Sequence, residues 1–204
     1  SEDPKNLDIA LGSLGYDSTV KGWMGATITR LDALNGSDNL QLTRLLDNST
    51  NAITFAAATD IATTVTTLQL DNEETITIDD GAINSALAFQ VTTLHAQDLV
   101  TLNITGGANV TIADPIESQT TAVLTTVDAS AATGTVDVDV SNATLAVTMT
   151  GPASKAATLA GGSGADTITT GSAADVVLGN GGADTINTGD GTDSITGGGG
   201  VDTI

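Results

Sequence analysis

Five aspartates stand nine residues apart at the end of this chain: Asp166, Asp175, Asp184, Asp193 and Asp202. Two places after each comes a β-branched apolar residue: Ile168, Val177, Ile186, Ile195 or Ile204. Read in register from Gly161, the run is GGSGADTIT, TGSAADVVL, GNGGADTIN, TGDGTDSIT and GGGGVDTI. Glycine permits φ > 0 and lets the main chain aim carbonyl oxygens inward, so the unit offers carboxylate and carbonyl donors at a fixed interval. Calcium takes roughly six to eight oxygen ligands at about 2.3–2.6 Å, and this donor set suits it. Six aspartates, Asp190 included, with no Lys or Arg among them would repel one another unless cations neutralise them. A disordered Gly/Asp/Thr linker is the competing reading, and it is the state expected of the segment without the ion. A permanent linker, however, has no reason to keep an isoleucine in register.

Other candidate chemistry is sparse. His95 is the one histidine and there is no cysteine, which removes His-pair metal sites, H-E-x-x-H motifs and thiol nucleophiles. Gly161-Gly162-Ser163-Gly164 misses the spacing of a G-x-S-x-G nucleophile elbow. Asp137 and Asp139 share one face of a V-D-V-D-V strand; an acid/base pair is one reading, solvated alternation outside a valine core the better one. Asp79-Asp80 and Glu73-Glu74 read as turn and surface carboxylates, His95 as a strand surface residue, and Trp23 as a core or interface anchor. No catalytic residue is expected.

The nonapeptide run resembles the RTX (repeats-in-toxin) family, whose unit is G-G-x-G-x-D-x-U-x and which winds into a calcium-loaded parallel β-roll. The resemblance covers residues 161–204. It implies that nine residues make one turn plus one short strand, so that alternate repeats stack on the same side of the coil. Calcium would then sit between Asp166 and Asp184, between Asp175 and Asp193, and between Asp184 and Asp202, three sites at most. The turn backbone at Gly162, Gly164, Gly171, Gly182, Gly189 and Gly191 would supply further oxygens. Repeat two departs from the pattern, with Thr170 in place of the first glycine and Ala173 in place of the fourth-position glycine. A left-handed backbone at Ala173 would cost on the order of 1 kcal/mol.

The elements that must carry these turns are strands. From residue 51 to 160, Thr, Val and Ile alternate in short runs such as Leu68-Gln69-Leu70, Thr75-Ile76-Thr77-Ile78, Leu102-Asn103-Ile104, Val110-Thr111-Ile112 and Val136-Asp137-Val138-Asp139-Val140. Turn-formers separate them, among them Gly106-Gly107 and Gly134. Aromatic residues are 2% of the chain, which disfavours a sandwich core and favours a right-handed parallel β-helix. Leu159 stands nine residues before Ile168, so the apolar register extends upstream of the first repeat, although Ala157 replaces the aspartate there. The expected fold class is therefore all-β: a parallel β-solenoid over 51–160 running into a β-roll over 161–204. Residues 1–50 read as a cap or the edge of an upstream domain. There Ser37-Asp38 followed by Leu40, Leu42, Leu45 and Leu46 predicts a short N-capped helix.

Composition sets the context. The chain has 25 acidic against five basic residues and a net charge of −20, which argues against nucleic acid and anionic membranes as partners. No stretch approaches the ~20 apolar residues of a membrane span. Absence of cysteine together with calcium dependence fits secretion by a bacterium. Beginning at Ser1 and ending at Ile204 inside a repeat, the sequence reads as a piece of a longer protein. Threonine-rich strands leading into GGSGADTI also look like the surface-layer proteins of Gram-negative bacteria, which leave the cell by type I export and crystallise on it with calcium. The resulting expectation is a non-enzymatic, calcium-dependent protein of the bacterial cell surface or extracellular matrix. It would assemble with itself into a lattice or filament, with cell-surface polysaccharide as a further partner. The alternatives are the secretion and folding tail of an RTX hydrolase, or a segment of an RTX adhesin.

Overall fold

The computed structural model describes residues 6–7, 18–23, 27–28, 39–44, 52–57, 63–71, 73–80, 88–116 and 123–204. Every regular element among them is a strand: β1 (Asn6–Leu7), β2 (Ser18–Trp23), β3 (Thr27–Ile28), β4 (Asn39–Arg44), β5 (Ala52–Ala57), β6 (Thr63–Asp71), β7 (Thr75–Asp80), β8 (Ala88–His95) and β9 (Thr101–Gly106). There follow β10 (Asn109–Ile112), β11 (Thr126–Asp128), β12 (Val136–Asp139), β13 (Thr148–Thr150), β14 (Ala157–Ala160), β15 (Thr167–Thr169), β16 (Val176–Leu178), β17 (Thr185–Asn187) and β18 (Ser194–Thr196). The odd-numbered strands form one nine-stranded parallel sheet and the even-numbered strands another. Each coil thus contributes one strand to each sheet, and the chain is a two-sheeted parallel β-solenoid.

Period-two alternation creates the core. Inward residues of the odd sheet stack in one column, Ile53, Ile76, Leu102, Val127, Met149, Ile168 and Ile186. Those of the even sheet stack in another, Val65, Val91, Ile112, Val138, Leu159, Val177 and Ile195. All are buried except the half-buried Ile195. The register therefore passes through Leu159 into the repeats without a break, as its spacing predicted. On the outer face of the odd sheet Thr75, Thr101, Thr126, Thr148, Thr167, Thr185 and Thr203 fall in a single row.

Coils shorten toward the C-terminus. Paired positions lie 25 residues apart from Thr101 to Thr126, 22 from Thr126 to Thr148, 19 from Thr148 to Thr167 and 18 from Thr167 to Thr185. Core content falls with them. The coil of β9 and β10 buries Leu102, Ile104, Val110 and Ile112, whereas the coil of β15 and β16 buries Ile168 and Val177. At about 1.5–3 kcal/mol for each large apolar side chain, the repeat coils hold roughly half the hydrophobic stabilisation of those upstream.

Three expectations require correction. Residues 39–44 form β4, paired in parallel with β2 and β6, and not a helix; the capping pair Ser37-Asp38 and Leu45-Leu46 lie outside the described residues. A short polar–apolar run that can pair on both sides gains more as a strand than as an isolated turn of helix. The four strands described within residues 1–50 belong to the same two sheets as the rest. Asp79 and Asp80 end β7 and are not turn residues, and Glu73 is buried.

Candidate metal centre

Each repeat aspartate lies in the turn immediately before a strand: Asp166 before β15, Asp175 before β16, Asp184 before β17 and Asp193 before β18. Because alternate repeats stack, the carboxylates form two ladders. In the first, Asp166 Oδ1 accepts the Val147 N–H (2.8 Å), Asp184 Oδ1 the Asp166 N–H (2.8 Å) and Asp202 Oδ1 the Asp184 N–H (3.0 Å). In the second, Asp175 Oδ1 accepts the Ala157 N–H (2.8 Å) and Asp193 Oδ1 the Asp175 N–H (3.0 Å). Each bond spans 18 or 19 residues and ties one coil to the next, so the aspartate first serves the solenoid as a charge-assisted clamp. The stacking of alternate repeats is the one that the nine-residue unit implied.

The second carboxylate oxygen of Asp175 and of Asp184 is the candidate ligand atom. Asp166, Asp175 and Asp184 are each 1% exposed. Asp175 Oδ2 and Asp184 Oδ2 are buried with no hydrogen-bond partner. A buried carboxylate oxygen without a donor is costly, and a cation is the natural remedy. Beside Asp184 Oδ2 lies the Gly197 carbonyl, both flanking the open side of Gly179, where an added Cβ would collide with the two oxygens. Gly161 sits likewise beside Asp166 Oδ2 and the Gly179 carbonyl. Among the described residues no three His, Cys, Asp or Glu side chains converge, so the donor set is carboxylate plus main-chain carbonyl, the hard-oxygen kind that calcium prefers.

Stacked strands lie about 4.8 Å apart. Two carboxylates at that distance repel by roughly 3–4 kcal/mol at an effective dielectric near 20, which a divalent ion between them would reverse. Burial pushes the Asp166 carboxyl above its ordinary range and the Asp184 charge adds to the rise, against the N–H donors of Val147 and Gly162, which pull it down.

Turn conformation changes along the repeats. Second and fourth positions take positive φ in the last three: Asn180 and Gly182, Gly189 and Gly191, Gly198 and Gly200. Gly162, Gly164, Gly171 and Ala173 do not, so the strain anticipated at Ala173 is absent. Of the glycines expected to present oxygens, Gly182 packs on the Gly164 carbonyl, Gly189 on that of Gly171 and Gly191 on that of Ala173. They let turns stack without a Cβ between them. The carbonyls beside the carboxylates come from first-position Gly179 and Gly197, which the sequence reading missed. The signal was the glycine at the first place of alternate repeats only.

A family model described as the RTX calcium-binding nonapeptide repeat (4 copies) matches residues 156–186 and 169–204. The C-terminal segment of this chain belongs to the RTX repeats. No curated protein and no solved structure matches the chain. Calcium is the ion that RTX nonapeptides bind, and the orphaned oxygens of Asp175 and Asp184 fit it.

Away from the RTX turns, the remaining candidates are dispersed. Asp137 and Asp139 point outward from β12, half-buried, with Val136 and Val138 in the core. The Asp139 carboxylate accepts the Ser141 N–H (2.7 Å). His95 ends β8 opposite Gln69, and Trp23 ends β2 opposite Arg44. No helix among the described residues is long and apolar enough to cross a membrane.

Proposed function

We propose that this protein is a non-enzymatic structural element of the bacterial exterior, ordered by calcium after export, whose copies assemble into a surface layer or filament. The observation that carries the reading is the pair of buried, unpartnered carboxylate oxygens at the core-poor C-terminal end of a continuous hydrophobic solenoid. Bound calcium supplies positive charge between stacked turns that otherwise repel. The chain's own residues do the rest: Ile168, Val177 and Ile186 hold the register, Oδ1 of each aspartate clamps the previous coil, and glycines let the turns touch. Where calcium is scarce, repulsion keeps the repeats open for export; where it is millimolar, binding energy becomes folding energy.

The threonine row supports assembly. In a chain of net charge −20, the row from Thr75 to Thr203 is itself uncharged, although Asp79 and Asp128 also point outward from the odd sheet, as Asp137 and Asp139 do from the even one. Along the row itself two copies can meet without setting like charges against each other.

Light scattering with electron microscopy during a calcium titration, starting in chelator and with magnesium as control, tests the reading. Ordered sheets or fibres that grow with calcium alone are the expected result. Gain of β-structure in a chain that stays monomeric would leave calcium ordering in place and point to the export module of a larger protein.

A further inference from the structure

The two homologous turns around Asp166 and Asp184 differ in one respect, and the difference is chemical. At Asp184 the Oδ2 atom is buried without a partner. At Asp166 the same atom accepts the Gly162 N–H (2.8 Å), while Oδ1 accepts that of Val147. Both oxygens are therefore satisfied by the chain. The carbonyl beside Asp166 Oδ2 is that of Gly179, and the first-position carbonyl of the Asp166 turn itself, that of Gly161, accepts from Asn180 Nδ2 at 2.7 Å. One coil further on, the residue equivalent to Asn180 is Gly198, which has no side chain to donate. Asn180 itself holds φ 66°, a conformation that Asn tolerates better than most residues.

We propose that the first rung of the RTX block is closed by the chain's own donors, so that Asp166 is a positioning residue and not a calcium ligand, and that this rung is the calcium-independent template on which the later repeats order. The Gly162 N–H takes the place beside Oδ2 that a cation takes at Asp184, and Asn180 Nδ2 ties the Gly161 carbonyl to the next coil. The template is continuous with a solenoid that has its own core through Met149 and Leu159. From it, the Asp166 N–H reaches forward to Asp184 Oδ1 and aims that carboxylate's other oxygen at Gly179 and Gly197. Order then spreads from the upstream end, each liganded rung presenting the N–H that fixes the next aspartate. The inference rests on the calcium reading above.

Hydrogen exchange by mass spectrometry, with bound calcium counted by equilibrium dialysis, tests it on the full chain. In chelator, amides of 147–168 stay protected while those of 175–204 exchange freely; calcium protects both. Asp166→Asn keeps the wild-type number of ions but sets an amide donor against the Gly162 N–H, raising the calcium midpoint for 175–204 about tenfold. Asp184→Asn loses an ion. Asn180→Gly, which suits the positive φ, loses protection of 161–168 in chelator and regains it with calcium. Loss of an ion in Asp166→Asn, or free exchange of 161–168 in the wild-type chain without calcium, overturns the inference alone. A wild-type chain that binds no calcium overturns it together with the calcium reading.

Discussion

Gly179 and Gly181 are two residues apart in one turn, and only the recurrence of glycine at the first place of alternate repeats ranks them in the sequence. A Cβ at Gly179 would meet Asp184 Oδ2 and the Gly197 carbonyl, whereas one at Gly181 would meet Ser163 and Gly162 atoms no closer than 3.6 Å. Neither has a positive φ, so the difference is the space a cation needs. Gly179→Ala is expected to remove the ion at Asp184 and Gly181→Ala to leave the count unchanged, as read by equilibrium dialysis. A different ionisation effect operates at Asp137, whose carboxyl is held above its ordinary range by burial and, secondarily, by Asp139. Folding then favours its protonated form, so the charge opposes stability at neutral pH and the penalty is relieved as pH falls through the raised value. Asp137→Asn should raise the Tm slightly at neutral pH, and the gain should shrink toward acid; thermal unfolding monitored by circular dichroism at several pH values checks the sign.

The strands divide into two energetic kinds although they look alike. β9 and β10 bury four large apolar residues between them, β15 and β16 two. Leu102→Ala should cost about 2–5 kcal/mol whether or not calcium is present, since its cavity lies in a self-sufficient core. Ile186→Ala should instead appear mainly as a weaker calcium midpoint, because folding of β17 is coupled to ion binding. Denaturant melts with and without chelator distinguish the two. The strand character of residues 63–160 was legible from Thr/Val/Ile alternation, and the junction from the Leu159 spacing. β4 was not legible, because Leu40, Leu42, Leu45 and Leu46 satisfy a helical stripe as well as a strand, and pairing with β2 and β6 decided between them.

At the scale of the whole molecule the odd and even faces are unequal. The threonine row crosses seven coils on the odd face, and the described strands of the even face show no such repetition. Thr167→Lys places one charge in the row without touching a carboxylate ladder. It is expected to abolish ordered assembly in electron micrographs while leaving the calcium-induced circular dichroism change intact. A parallel change Thr158→Lys on the even face should leave both assembly and the circular dichroism change intact.

The nine-residue spacing of aspartate and isoleucine determined the ion, the coil and the register by itself, because a strict period leaves a regular winding as the only common solution. What the tertiary structure decided was which oxygens remain unsatisfied. Asp166 and Asp184 are identical in the repeat, yet the Gly162 N–H satisfies Oδ2 of one and no donor reaches Oδ2 of the other. The difference follows turn conformation, since Asn180 takes φ 66° where Gly162 has no positive φ, and the repeat pattern does not encode which turn adopts which form.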